Sequence, residues 1–184
     1  KIIALLPGSR KQELAYVLPT MLSVVDDFPQ YQFIIAGAPN FNTADYQAYL
    51  SNHEITVLFN QTYDLLANAA AAIVTSGTAT LETALFNVPQ VVVYRGNSIS
   101  IGVAKLLVKI RFISLVNLIA DKEIVKELIQ DDCNHNSLQS ELAQVLSGDQ
   151  RTQMLEEYSD LHAVMGEAGA SQRAAQLMYG YLVG

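Results

Sequence analysis

A chain of 184 residues with 51% apolar and only 16% charged residues has material for a substantial core, which excludes a disordered, charge-solvated polymer. A net charge of −7 and a pI near 4.8 argue against a general nucleic-acid binder. The one cysteine, Cys133, excludes an internal disulfide, so a reducing compartment is the default expectation.

The chain opens on Lys1–Leu6, a buried-strand pattern with neither signal peptide nor initiator methionine, which reads as a domain cut from a longer protein. A helix is expected over Leu18–Phe28, with Pro19 near its start where proline is tolerated. Then follow a strand at Tyr31–Ala36, a helix at Thr43–Leu50, a strand at Ile55–Phe59 and a helix at Tyr63–Asn68. Ala71–Val74 and Gln90–Tyr94 read as strands on either side of a helix at Thr78–Phe86. The strands are almost continuously apolar, as parallel strands covered on both faces require. Beyond Arg95 the pattern turns helical, over Ser98–Ile110, Asp121–Ile129, Ser137–Leu146, Arg151–Met165 and Ser171–Leu182. The expected fold is α/β: one domain over residues 1–184, with a doubly wound, Rossmann-like parallel sheet and a helical C-terminal tail from about residue 137. No apolar run reaches the ~18–20 residues that span a bilayer.

In a sheet of this kind ligands sit beyond the carboxyl ends of the strands. Two loops there carry chemistry. Leu6-Pro7-Gly8-Ser9-Arg10 places a glycine where the backbone turns tightly, then amides at a helix start, then a guanidinium able to grip a phosphoryl group with two parallel bonds. The same residues also fit an ordinary strand-to-helix turn with an exposed arginine, and they are not a Walker loop. Thr75-Ser76-Gly77-Thr78-Ala79-Thr80-Leu81-Glu82 offers hydroxyls and amides at the next helix start, with Ser76 or Thr78 as the cap. Thr78 and Glu82 share one helical face, so that carboxylate could accept from a ribose diol. The alternative is a capped helix whose Glu82 complements the dipole. A phosphate cradle beside a sugar-binding carboxylate is the pattern of a nucleotide site.

Weaker features follow. Tyr94 and Arg95 end a strand at the same edge, where packing is the competing role. Lys105, Lys109 and Arg111 lie in an acid-free aliphatic stretch that suits an anionic membrane surface, or equally a core helix with snorkelling lysines. Asn117, Glu127 and Gln130 are polar groups set among aliphatics; on a helix the last two would share a face. Asp131, Asp132, Cys133 and His135 fit no familiar zinc spacing, so no metal is expected. Tyr16, Tyr158, Tyr179 and Tyr181 are expected to pack helices.

The chain resembles the C-terminal half of the lipid A disaccharide synthases, bacterial glycosyltransferases of the GT-B fold. The resemblance is carried by LLPGSRKQEL at 5–14, LPTML at 18–22, SGTATLETAL at 76–85, PQVVVYR at 89–95 and SLVNLIADKEIVKELIQ at 114–130. It implies transfer of 2,3-diacylglucosamine from UDP to 2,3-diacylglucosamine 1-phosphate, forming a β-1,6 disaccharide and UDP. By motif, Gly8, Ser9, Arg10, Ser76, Gly77, Thr78 and Thr80 would line the diphosphate and Glu82 the ribose. Asn117, Glu127 and Gln130, with Tyr94 and Arg95, would face the cleft between two domains. Where the family usually reads Leu-Pro-Asn, this chain reads Leu115-Val116-Asn117. Arg10 would stabilise the charge growing on the leaving UDP, and the general base would belong to the N-terminal half, so that this chain alone would bind without catalysing. The resemblance further implies no cofactor, a cytoplasmic enzyme peripheral on the inner membrane, and a last helix, Ser171–Gly184, that can cross to the other half. Another UDP-sugar enzyme, such as a peptidoglycan-type transferase or an epimerase, and a noncatalytic nucleotide-binding module use the same grammar.

Overall fold

The structure, a computed structural model, describes residues 1–50, 53–96, 111–166 and 169–183. Six strands form one sheet: β1 (Ile2–Leu6), β2 (Gln32–Gly37), β3 (Thr56–Phe59), β4 (Ala69–Thr75), β5 (Gln90–Tyr94) and β6 (Lys126–Ile129). Their order is β3-β2-β1-β4-β5-β6 and every pair is parallel. The doubly wound, Rossmann-like expectation holds. Ile3 and Leu5 of β1 are buried on one face with Leu14, Val17 and Leu18 of α1 (Lys11–Leu22). Ala4 and Leu6 face the other way, onto Leu65 and Leu66 of α3 (Thr62–Asn68). Both faces being covered explains the uninterrupted apolar strands. The remaining early helices are α2 (Thr43–Leu50) and α4 (Thr78–Leu85).

Two expected helices are corrected. The helix placed over Leu18–Phe28 is in fact α1, seven residues earlier, and Pro19 lies in its last turns rather than at its start. Leu14, Val17, Leu18, Met21 and Leu22 form one buried stripe at helical spacing, and that burial outweighs the bond Pro19 cannot donate. The chain then passes through a short 3₁₀ turn, Val25–Asp27.

The second correction is larger: Asp121–Ile129 is not a helix. A short helix, α5, covers Leu115–Ala120, the chain reverses through Asp121 in the left-handed region (φ 51°), and Lys126–Ile129 joins the sheet beside β5. Asn117 organises the reversal. Its Oδ1 accepts from the Ile124 and Val125 amides at 2.8 and 3.0 Å, and its Nδ2 donates to the Val125 carbonyl at 2.8 Å. The edge of β5 offers a row of backbone partners that local helical spacing cannot anticipate. Val116, which stands where the family usually has proline, is fully buried in the first turn of α5, a position that tolerates either residue. The helix expected over Ser98–Ile110 lies outside the described residues.

The tail forms α6 (His135–Leu146), α7 (Asp149–Met165) and α8 (Ala170–Val183). Leu138, Leu142 and Val145 of α6, and Met154, Tyr158 and Leu161 of α7, are buried in the main core. Of the tyrosines expected to pack helices, Tyr158 alone does so fully; its hydroxyl accepts from Gln90 Nε2 at 3.0 Å, and burial pushes its ionisation far up. Tyr16 is exposed, and α8 presents Leu177, Met178, Tyr179, Tyr181 and Leu182 to solvent.

Asn117→Ala strips three buried backbone groups of their partner. We expect a loss of about 3 kcal/mol in unfolding free energy by denaturant titration, since each orphaned group costs ~1–3 kcal/mol.

Candidate functional site

β1 and β4 are neighbours, but the chain leaves them toward opposite edges of the sheet: β2 and β3 lie beyond β1, β5 and β6 beyond β4. That reversal opens a crevice beyond the carboxyl ends of the two strands. A cleft of about 930 Å³ occupies it, lined by Leu6, Gly8, Ser9, Arg10 and Glu13 from the first loop and by Thr75–Ala79 and Glu82 from the second. The sheet thus brings together Gly8, Ser9, Arg10, Ser76, Gly77, Thr78 and Glu82. Thr80 is close in sequence but fully buried, its hydroxyl donating to the Gly77 carbonyl at 2.8 Å.

Gly8 has φ +92°, a left-handed conformation, and a Cβ there would stand 2.5 Å from Glu13 Oε2. Glu13 itself was not anticipated. Its Oε2 accepts from the Ser9 and Arg10 amides at 3.3 Å each, and its Oε1 accepts from Arg10 Nη1 at 2.9 Å. A carboxylate of the same helix therefore caps the very amides expected to attract an anion. Glu13 at the third position of a helix start is half of a capping box, a signal legible in the sequence. Asn40, beyond β2, ties this loop down by donating to the Ser9 carbonyl at 3.0 Å.

The second loop departs from expectation in its cap. Gly77, not Ser76 or Thr78, holds the N-cap position of α4, without a side-chain cap. The Ser76 hydroxyl instead donates to the Ile113 carbonyl at 2.7 Å, and its amide to the Val93 carbonyl at 3.1 Å. The Thr80 amide is satisfied by the Gly77 carbonyl at 3.2 Å, and the start of α4 lines the cleft through Gly77, Thr78 and Ala79. Thr78 and Glu82 line the cleft together, as their spacing predicts. Thr75 was also missed: its Oγ1 is buried beneath the cleft with no hydrogen-bond partner among the described residues.

The far wall comes from the ends of β2 and β3, through Ala36–Pro39 and Asn60–Asp64. The Ala38 amide donates to the Tyr46 hydroxyl at 2.8 Å, and burial pushes that phenol's ionisation up. Tyr63 reaches Glu82 Oε1 at 3.5 Å and stacks, tilted, on Phe86 at 5.3 Å. These loops follow strands at the same sheet edge, which was the available sequence signal.

Residues 1–179 match the family described as lipid-A-disaccharide synthetase. The chain belongs to that family. A lipid-A-disaccharide synthase of Anaeromyxobacter dehalogenans strain 2CP-1 is 36% identical over 98% of this chain and 49% of its own length. The chain spans about half the length of the curated relatives it matches, in their C-terminal half. Among solved structures, a glycotransferase of kitacinnamycin superposes with a TM-score of 0.64 at 14% identity, over 97% of this chain and 42% of that one. A co-structure of S. aureus MnaA with UDP gives 0.62 at 15% identity, over 99% and 46%. At such identities the likeness shows the fold alone, the Rossmann-like α/β arrangement described above.

The family's later motif lies to one side of the cleft. Glu127 accepts from the Ile113 and Ser114 amides, the Ser114 hydroxyl and Asn117 Nδ2, all within 2.7–2.9 Å. Gln130 exchanges two hydrogen bonds of 3.2 Å with the Gly96 backbone. Because β6 is a strand, Glu127 and Gln130 do not share a helical face. Tyr94 is half-buried and Arg95 exposed at the end of β5, outside the cleft lining. Arg111 is exposed, 4.8 Å over the Phe112 ring and within 3.9 Å of Asp121 Oδ1. Lys105 and Lys109 lie outside the described residues.

Gly8→Ala combines a left-handed backbone with a clash against Glu13. We expect a loss of about 1–2 kcal/mol in equilibrium unfolding, because a Cβ in that region costs this much; unchanged stability would show that the turn does not need glycine.

Proposed function

We propose that this chain is the donor-binding half of a lipid A disaccharide synthase, holding the UDP of UDP-2,3-diacylglucosamine while the sugar passes to 2,3-diacylglucosamine 1-phosphate. The observation that carries the reading is the crevice at the strand-order reversal, where two helix starts, Arg10 and Glu82 line one cleft. The first-turn amides of α1 and α4 supply donors for a diphosphate. Glu82, one turn into α4, stands where a ribose diol would follow.

Arg10 now pairs with Glu13, but its side chain is 82% exposed. An exposed pair of this kind contributes at most ~1 kcal/mol. A charge-assisted bond to a phosphoryl oxygen contributes ~1.5–3 kcal/mol, which leaves the guanidinium able to turn from Glu13 to a diphosphate. During transfer the same guanidinium and amides meet the charge that builds on the leaving UDP, stabilising it more than the ground state. The acceptor hydroxyl needs a base to take its proton. Among the cleft-lining carboxylates, Glu13 is bonded to the phosphate-side amides and Glu82 faces the ribose side. Asp64, the third, lies on the far wall; the family resemblance assigns the base to the other half, so the chain alone would bind UDP without turnover.

The exposed apolar face of α8 supports a last helix that packs against that other half. No described helix is long and apolar enough to cross a membrane. The family resemblance has the enzyme meet its lipid substrates at the cytoplasmic face of the inner membrane, with Lys105, Lys109 and Arg111 toward anionic headgroups. It uses no metal or cofactor.

Calorimetric titration with UDP tests the site, with ADP as comparison. We expect UDP to be preferred and its affinity to fall about 10- to 100-fold in Arg10→Ala, the equivalent of one charge-assisted bond, with a weaker loss in Glu82→Ala. A folded chain that binds neither nucleotide, or that binds UDP unchanged in both variants, removes the reading.

A further inference from the structure

Glu127 lies outside the donor cleft, yet its carboxylate takes part in a chain of contacts that ends there. It projects from β6, whose backbone is fixed by pairing with β5 in the register Val92 to Glu127. Oε2 accepts from the Ile113 amide at 2.9 Å. Oε1 accepts from the Ser114 amide at 2.9 Å, the Ser114 hydroxyl at 2.7 Å and Asn117 Nδ2 at 2.9 Å. Four donors thus converge on the two oxygens of one carboxylate.

Ile113, held by its amide, offers its carbonyl to the Ser76 hydroxyl at 2.7 Å. The Ser76 amide is meanwhile bonded to Val93 of β5. Ser76 is thus pinned on both sides by the β5–β6 edge of the sheet, immediately before the Gly77 cap and the first amides of α4. Its hydroxyl proton is committed to Ile113, so Ser76 acts on an anion through the placement of its turn rather than by donating to it.

We propose that Glu127 is a positioning residue of the donor cleft: through Ile113 it fixes Ser76, and with it the turn whose following amides, those of Gly77 and Thr78, meet the donor diphosphate. This rests on the UDP-binding reading above. The carboxylate of β6 is the rigid end of the linkage, and the turn at the start of α4 is the working end. A role in stability alone has a different signature, since it lowers the melting temperature while leaving the folded protein's affinity for UDP intact.

A double-mutant cycle separates the two. UDP is titrated into the folded wild-type chain, Glu127→Gln, Ser76→Ala and the double variant, with Arg10→Ala as the control. Each of Glu127→Gln and Ser76→Ala is expected to lose roughly tenfold in affinity, the equivalent of one hydrogen bond, with the double variant losing no more than either. Affinity within about twofold of wild type in Glu127→Gln, or losses that multiply in the double variant, overturns the proposal. Should Glu127→Gln not fold, Ser114→Ala removes one donor to the same carboxylate and completes the same cycle. A loss that vanishes on the Ser76→Ala background supports the linkage, and unchanged affinity overturns it. A wild-type chain that binds no UDP overturns the donor reading and this inference together. Binding lost in Arg10→Ala but kept in Glu127→Gln overturns this inference alone.

Discussion

Everything in this molecule that resembles a binding site depends on the parallel pairing of β1 with β4. Leu5 and Leu6 of β1 lie in register with Ile73 and Val74 of β4, so the two strands end together. The chain leaves the first toward one edge of the sheet and the second toward the other. The helices that follow start side by side, with nothing between them at the top of the sheet. A slip in this register would move Gly8 and Gly77 apart and turn alternate side chains to the wrong face.

Around that crevice several polar side chains hold backbone groups. Glu13 holds the turn after β1, Asn40 ties it to the loop after β2, and Tyr46 holds the Ala38 amide. On the other side Glu127 and Asn117 hold Ile113, Ser114 and the entry to β6. Loops that carry function are otherwise the least constrained parts of a fold. Here each is fastened to a strand or helix whose position the core already sets, which is how a site built on turns can keep a fixed geometry.

The elements that sequence patterning placed well are those whose signal is local. The strands at the centre of the sheet are apolar on both faces, and Thr43–Leu50 carries its own boundaries. Gly8, Arg10, Thr78 and Glu82 follow strands or sit one turn into a helix, so their convergence could be read from a strand–helix alternation. Pro19 misled because its usual place near a helix start was weighed above the apolar stripe from Leu14 to Leu22. Glu13 is not legible as a ligand-side group because the structure uses its carboxylate to hold the turn, and Thr75 because its burial beneath the cleft depends on the assembled sheet.

By itself, then, the sequence determined the α/β class, the strand-end location of the site and membership of a glycosyltransferase family, because apolar periodicity and short motifs encode those locally. Only the tertiary structure decided that Lys126–Ile129 is a strand, that the Ser76 hydroxyl turns away toward Ile113, and that Glu127 and Asn117 serve backbone groups. Each of these outcomes depends on a partner distant in the chain: an open edge of β5, a carbonyl 37 residues away from Ser76, a loop that must be folded back before its amides can be satisfied. A buried amide takes whichever acceptor the assembled fold brings within reach, and no spacing along the chain specifies which one that will be.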